Sequence, residues 1–559
     1  MVSALVKLFY KEIGGLHQAA YLLGLFALVS QLFALIRDRL LASMFGAGIE
    51  LDIYYAAFRI PDFIFISVAS VVSISVLIPF LVERRDLGYS EEKNFVDSIF
   101  SVFFILILFI AALAYVIAPF LLPIMFPGFT EADIKELIPL MRLLLLSPIL
   151  LGLSNLFASI TQVYKRFFIY ALSPVLYNIG IIFGVIFWAP KFGIKGVVYG
   201  VILGAFFHLA IQVPFIANQK LIPRFRRAVD WVIVRNVFLL SLPRTLTLGM
   251  NHIVIIFLLS IASLMSDGSI SVFNFSYNLQ SVPLSIIGVS YSLAAFPALS
   301  ELYRRSDIEE FISKIKTAAR HIIFWSIPIT VLFVVLRAQV VRVILGSGEF
   351  TWSDTRLTAA ALALFALSVV FQSLVVLFVR GFYAAGNTLT PLVVNVFSGI
   401  VTIASGYFLF NLFSSSIDTR IFFSDILRVS STEASIVLAL PLAFTLGSFL
   451  NGILLWLTFS RQFPEFTLEL SRPFRESTIA SFAIGLASYN LLNLLDEAFD
   501  LNTLPGIFSQ GFIAGIGGIL VGILLFILLG NKELLEVYRA LRRKFWKAKV
   551  VPPDADVIG

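Results

Sequence analysis

Two arginines and an aspartate, Arg37-Asp38-Arg39, follow about nineteen apolar or small residues, Gln18 to Ile36, and apolar sequence resumes directly after them. Downstream, "DIYYAAFRIPD" sets Asp52, Arg59 and Asp62 into a second apolar run. Guanidinium groups match the paired oxygens of carboxylates and phosphates. In a low-dielectric cavity, only partly neutralised by acids, they would favour a polyanionic headgroup. At 100° per residue, Arg37 and Arg39 stand about 200° apart, so a regular helix shows a cavity only one of them. One reading has both snorkelling to water at the membrane interface. The other turns at least one of them, Arg37 in preference to Arg39, into a cavity, because this end of the helix is where few cations are expected. Asp38 lies between them and can neutralise either. Arg59 and Asp62 are i,i+3 neighbours that can pair, and Pro61 bends the chain beside them.

These residues need a membrane-embedded frame. The chain has 559 residues, 59% of them hydrophobic and 13% charged, with mean hydropathy +0.96. A soluble domain carries roughly a quarter charged residues. Runs of about 20 apolar residues, enough to cross the hydrocarbon as helix, recur throughout. Fourteen spans are expected, at 18–43, 56–82, 95–125, 137–164, 168–188, 197–217, 235–265, 270–297, 322–345, 358–383, 388–413, 434–459, 477–495 and 507–529. The fold class is an all-α polytopic membrane protein with 14 transmembrane helices. Between spans 8 and 9, Leu302, Ile308, Phe311, Ile312 and Ile315 form a helical stripe expected to lie on the membrane surface.

Lys and Arg concentrate in one set of loops, from Arg84-Arg85 through Arg224 to Arg227, Arg304-Arg305 and the run after Lys532. That set is read as cytoplasmic, with both termini on it. The tail "YRALRRKFWKAKV" then suits an anionic leaflet rather than nucleic acid. No cysteine is present, which excludes disulfide and thiol chemistry, and no removable signal peptide is read at the start. His17, His208, His252 and His321 lack metal-ligand spacing, and no phosphate-binding glycine loop or Ser-His-Asp set appears. An enzyme is therefore not expected.

The halves of the chain repeat. Pro79 to Glu83 recurs at Pro297 to Glu301, Phe129 to Asp133 at Phe350 to Asp354, and Pro174 to Asn178 at Pro391 to Asn395, at offsets of 218, 221 and 217. Leu203 to His208 recurs at Leu446 to Asn451, 243 residues on, which places an insertion of about 25 residues near 414–433. An offset of six spans keeps both copies facing the same way, so two parallel-repeat six-helix lobes are expected. They are 1–217 (spans 1–6) and 218–460 (spans 7–12), with 461–530 holding two C-terminal helices and 531–559 a basic tail. Thr130-x-x-Asp133 and Thr351-x-x-Asp354 read as capping boxes. Other ionisable residues inside spans are Arg142, Arg244 and Arg380, while the second lobe offers Asn274, Asn278 and Gln280, so the expected cavity is asymmetric. Two lobes with proline-broken helices suit alternating access.

The stretches "RDRLLASMFGAGIELDIYYAAFRIPD", "LPRTLTLGMNHI", "SVPLSIIGVSYSLAAFPALSEL" and "VRGFYAAGNTLTP" resemble the MurJ (MviN) family, lipid II flippases of the multidrug/oligosaccharidyl-lipid/polysaccharide exporter superfamily. The last is similar to a family signature carried here by Arg380, Tyr383 and Pro391. The resemblance implies two lobes around a cationic cavity, and a lipid-tail groove at spans 13 and 14. It also implies a monomeric carrier that moves undecaprenyl-pyrophosphoryl disaccharide-pentapeptide from the inner to the outer leaflet among membrane lipids. Carried over, Arg37, Asp38, Arg39, Asp52, Arg59 and Asn278 become the substrate-binding set. The chain departs from the family where Phe65, Ile66 and Ser70 replace two arginines and a glutamate, and where Tyr277 and Asn278 replace an Asp-Arg pair. Leu258 and Gly399 stand where some members bind sodium, with Asn395 as the remnant of that site. No cofactor is expected; drive comes from membrane potential or a monovalent cation. The alternatives are a same-fold exporter of another lipid-linked oligosaccharide or drug and, from another class, a membrane glycosyltransferase or ligase. The latter would need catalytic acids in outer loops, and Glu131, Asp133, Asp354, Asp418, Asp425 and Asp496-Glu497 read as caps and loop charges.

Overall fold

The computed structural model describes residues 16–68, 74–226, 228–466 and 471–546. Every regular element among them is helical. Among the described residues ten helices are long and apolar enough to cross a membrane, or eleven if Trp352–Ala366 and Val369–Ala384 count as one span. The helices Leu16–Phe45 and Ser471–Leu494 have 30 and 24 residues, also above the roughly 20 that a crossing takes. Span 2 is interrupted at Phe58, between Ile49–Ala57 and Arg59–Val68, and resumes within the described residues as Ile74–Asp86. Each of the fourteen expected segments thus coincides with a helix or a run of short helices.

Local chemistry starts these helices where the sequence says it should. Thr130 Oγ1 accepts from the Asp133 N–H while the Asp133 carboxylate accepts from the Thr130 N–H, and Thr351 with Asp354 repeats the arrangement. The two lobes also pack alike at equivalent places: span 1 lies against span 5, and span 7 against span 11. Between spans 5 and 6, Gly180 faces Gly204 and Gly184 faces Gly200 across bare backbone. In lipid such close approach replaces the hydrophobic drive available in water.

Packing resolves the chain into two units that cut across the sequence repeat. The first holds Met1–Val282, Val340–Ser368 and Gly386–Leu455; the second holds Pro283–Gln339, Val369–Ala385 and Trp456–Gly559. In the first unit, segments from both repeats are joined through the turns between their spans. In the second, Ile308–Val335 packs on Ser471–Leu494 and Val369–Ala384, and Phe459 meets the rings of Phe378, Phe382 and Phe463. Here one expectation is corrected. Phe311, Ile312 and Ile315 are buried against the protein, with Phe311 5.3 Å from the Phe463 ring, rather than spread on the membrane surface. The stripe faces protein because Ile308–Val335 is one helix continuous with span 9. The insertion near 414–433 folds as a short helix, Ile417–Leu427, capped by the Ser416 hydroxyl.

The connection from span 6 to span 7 lies in register on the start of the Tyr89–Met125 helix. Tyr89 Oη donates to the Lys220 carbonyl at 2.9 Å, and Lys93 Nζ to the Ile222 carbonyl at 2.8 Å. The Arg224 N–H then donates to Asp97 Oδ1 at 2.8 Å and the Arg226 N–H to Ser101 Oγ at 2.8 Å. Every fourth residue of the helix meets every second residue of the connection. The spacings agree, about 6 Å for four helical residues and about 6.6 Å for two extended ones.

Candidate functional site

Within the first unit, a cavity of about 240 Å³ is lined by Arg37, Arg59, Asp62, Asn251, His252, Asn274 and Asn278. Tyr54, Tyr55, Tyr177 and Tyr277 supply much of the remaining wall. Arg37 donates through Nε and Nη2 to Asp38 Oδ1, at 2.9 and 2.7 Å, and through Nη1 to Asn178 Oδ1 at 3.2 Å. Asn178 is itself oriented by donating to the Pro174 carbonyl and to Ser30 Oγ, at 3.1 and 3.3 Å. Asp38, only 4% exposed, accepts at its other oxygen from Asn278 Nδ2 at 3.1 Å. Spans 1, 5 and 8 therefore fix one guanidinium–carboxylate pair.

Arg59 sits where span 2 breaks. The helix Ile49–Ala57 stops at Phe58 and another begins at Arg59. Arg59 Nε donates to the Tyr55 carbonyl at 2.9 Å and Nη2 to Asn274 Oδ1 at 3.0 Å. It forms no ion pair with Asp62 within 4.0 Å, contrary to the i,i+3 expectation, because its guanidinium is committed to these neutral acceptors. Two arginines and two aspartates balance in formal charge, so the cavity is neutral where the resemblance implied a cationic one.

Arg39 and Asp52 stand apart from the cavity. Arg39 Nη1 donates to the Val343 and Ile344 carbonyls, at 2.6 and 3.4 Å, at the end of the Arg337–Leu345 helix. A cation there satisfies orphan carbonyls and complements the helix dipole. The Asp52 carboxylate accepts from the Gly268 N–H at 2.8 Å, the Ser271 N–H at 2.7 Å and Ser271 Oγ at 2.6 Å, capping the Ser269–Leu284 helix from another span. Around them the turn after span 1 is clasped by two others. The Glu349 N–H donates to the Ser43 carbonyl at 2.9 Å, Gly348 (φ +57°) lies on that same carbonyl, and Gly268 (φ +86°) lies on the Ala47 carbonyl. A side chain at either glycine would meet backbone in a conformation other residues avoid.

The departures are also placed. Phe65 and Ile66 are half-buried on the Arg59–Val68 helix, and Ser70 lies outside the described residues. Tyr277 packs against Phe365 and Phe444, with ring centroids 5.8 and 5.5 Å away. Leu258 is fully buried, the space beside Gly399 is filled by Met250 and Val254, and Asn395 accepts from Asn451 Nδ2 at 2.9 Å. No trio of His, Cys, Asp or Glu suited to a metal occurs among the described residues. The matched positions thus present one amide oxygen and no carboxylate.

The signature residues build turns. Arg380 Nη1 donates to the Val289 carbonyl at 3.2 Å, at the end of a π-helical turn, Ser285–Val289. Tyr383 is half-buried near the end of Val369–Ala384. Gly386 takes φ +75°, Asn387 Oδ1 accepts from the Thr390 N–H at 3.1 Å, and buried Pro391 occupies the first turn of Leu389–Ser415. Asn274 and Asn278, expected on the second lobe's side, do line the cavity, whereas sequence reasoning missed Tyr54, Tyr55, Tyr177 and Asn251 as wall. Their only common signal was polarity within spans.

The family described as Lipid II flippase MurJ matches residues 41–508. A "Probable lipid II flippase MurJ" of Buchnera aphidicola subsp. Schizaphis graminum is 29% identical over 405 residues, 70% of this chain and 77% of that one. The "Lipid II flippase MurJ" of Burkholderia cenocepacia is 24% identical over 391 residues, 68% of this chain and 76% of that one. Among solved structures, "Lipid II flippase MurJ, inward closed conformation" covers 94% of this chain and 100% of its own at TM-score 0.71 and 22% identity. An inward-facing multidrug resistance MATE transporter of the MOP superfamily covers 78% and 95% at TM-score 0.63 and 15% identity. The family match spans well over half of the sequence, and the chain belongs to the lipid II flippase MurJ family.

Proposed function

We propose that this chain is a lipid II flippase of the bacterial inner membrane, taking its lipid-linked substrate from the inner to the outer leaflet. Membership of the family supports the cargo. The observation that carries the site is Arg37, held in the cavity wall by Asp38 and Asn178. Its two nitrogens converge on one Asp38 oxygen, a place that a phosphate oxygen of the substrate would take over. Asp38 then acts as an internal stand-in: it keeps Arg37 neutralised when the carrier is empty and competes the anion off on release. Arg59 and the amides of Asn274 and Asn278 supply further donors, and the lipid tail stays in the bilayer.

The clasped turns after spans 1, 7 and 9 lie in the cation-poor loops, so they support a seal at the outer end. Opening that seal and closing the inner end would reverse access to the cavity. An inside-negative potential of 100 mV favours outward movement of an anion by about 2.3 kcal/mol per charge. The protein works as a carrier without a bond-making step, as a monomer, and with both termini cytoplasmic.

A second reading, export of another lipid-linked saccharide on the same fold, is favoured by Phe65, Ile66 and Tyr277 at positions where the family has charge, and by the balanced cavity. The test is rescue of a strain depleted of its own lipid II flippase. Rescue by the wild type and failure of a normally inserted Arg37→Ala supports the first reading. Failure of a correctly inserted wild type, with a related flippase rescuing in parallel, supports the second.

A further inference from the structure

Three residues, 529–531, separate the Leu504–Leu528 helix from the helix Lys532–Trp546. Gly530, at φ +62°, turns the chain, and Asn531, 1% exposed, fixes the new start. Asn531 Oδ1 accepts from the Leu534 N–H at 2.8 Å, and its Nδ2 donates to Glu476 and Glu533, at 2.9 and 3.0 Å. One face of the helix is committed to protein: Leu534 and Val537 pack on Phe324, Ala480 and Phe526.

The helix contains two acids, and both turn inward. Glu533, 3% exposed, pairs with Arg320 Nε at 3.0 Å. Glu536 pairs with Arg320 Nη2 at 3.2 Å and His321 Nε2 at 2.9 Å. The cations are left over. Lys532 and Arg539 are exposed, and the sequence adds Arg542, Arg543 and Lys544 before the helix ends, with no acid between Glu536 and Trp546. Beside them Leu535 and Tyr538 stay 46% and 56% exposed. A basic helix with a second, unpacked apolar flank, starting at the end of a membrane span, has the composition of an interfacial helix.

We propose that Lys532–Trp546 is a surface for acidic phospholipid headgroups of the protein's own membrane, and that the clasped acids leave the described cations, Lys532 and Arg539, to face it. Leu535 and Tyr538 enter the interface while Lys532 and Arg539 hold phosphates, and the three basic residues that the sequence adds raise the positive charge of the segment. Clasp and surface are separate: Arg320, Glu476 and Asn531 fix the helix to the protein, and the lipid fixes its outward side.

The test is amide hydrogen exchange of residues 532–546 in the full chain, reconstituted in nanodiscs of phosphatidylcholine alone or with one-third phosphatidylglycerol. Acidic lipid is expected to slow exchange at least tenfold, since two basic residues near the surface, at roughly fivefold each, already suffice, and high salt should reverse it. The variant Arg539→Gln/Arg542→Gln/Arg543→Gln/Lys544→Gln is expected to lose that response. Because it could also fray the helix, Arg320→Gln provides the second arm: it weakens the clasp, so exchange quickens in neutral lipid and acidic lipid restores protection. Equal exchange of the wild type in both lipids overturns the proposal. So does an Arg320→Gln helix that acidic lipid fails to protect.

Discussion

Consider Asp52→Ala in the otherwise native chain. Its carboxylate, 3% exposed, satisfies the Gly268 and Ser271 N–H groups and the Ser271 hydroxyl of a helix from another span. Losing a helix cap costs about 1 kcal/mol, and each buried N–H left without an acceptor costs about 1–3 kcal/mol more. With some relaxation of the turn, about 3 kcal/mol is expected, roughly a 150-fold shift of the closed–open balance toward open. Asp52→Asn keeps an acceptor oxygen and loses only the charge-assisted part, about 1 kcal/mol, or roughly fivefold. The chain has no cysteine, so Asn251→Cys on the cavity wall provides a single thiol. An impermeant maleimide added from the outer side then reports how often the seal opens. Labelling should accelerate about 100-fold in the alanine variant and about fivefold in the asparagine variant. Rates within twofold of wild type in Asp52→Ala, at unchanged melting temperature, would refute the assignment of Asp52 to the seal.

Three further outcomes are expected. Arg37→Lys keeps the charge but loses the two-nitrogen contact with Asp38 and the bond to Asn178, so rescue of a flippase-depleted strain should be partial, with transport in vesicles down about tenfold. Gly348→Val places a branched side chain at φ +57° against the Ser43 carbonyl and should destabilise the chain by about 2 kcal/mol or more, read as a lowered melting temperature. Transport should be equal in sodium and potassium chloride, because Leu258, Gly399 and the Asn395–Asn451 pair offer no carboxylate; a sodium requirement would show that the cation binds elsewhere.

Much of the frame was legible because it rests on local rules. Apolar runs of membrane length became helices, and both Thr-x-x-Asp motifs became reciprocal caps. The 200° between Arg37 and Arg39 is realised as two different surroundings, cavity wall and helix end. What escaped depended on contacts distant in sequence. Asp52 looked like a site acid because a buried carboxylate in a membrane protein suggests a cavity, whereas its partners lie 216 and 219 residues away. The Phe311 stripe was misplaced because lipid and protein present the same apolar demand, so periodicity alone cannot say which one a face meets.

The strapped connection between spans 6 and 7 changes how far the chain can reach. Taken as free sequence, 218–230 would extend up to about 43 Å and place no limit on where span 7 stands. Four contacts from Tyr89 to Ser101 remove most of that slack. From Arg226 to Asp230, whose side chain caps the Trp231–Ala262 helix, the chain makes four residue steps, a tether of at most about 14 Å. Span 7 is thus leashed to the start of span 3. Any excursion of its first turn beyond that length must unzip the ladder from its Ser101 end, one rung at a time.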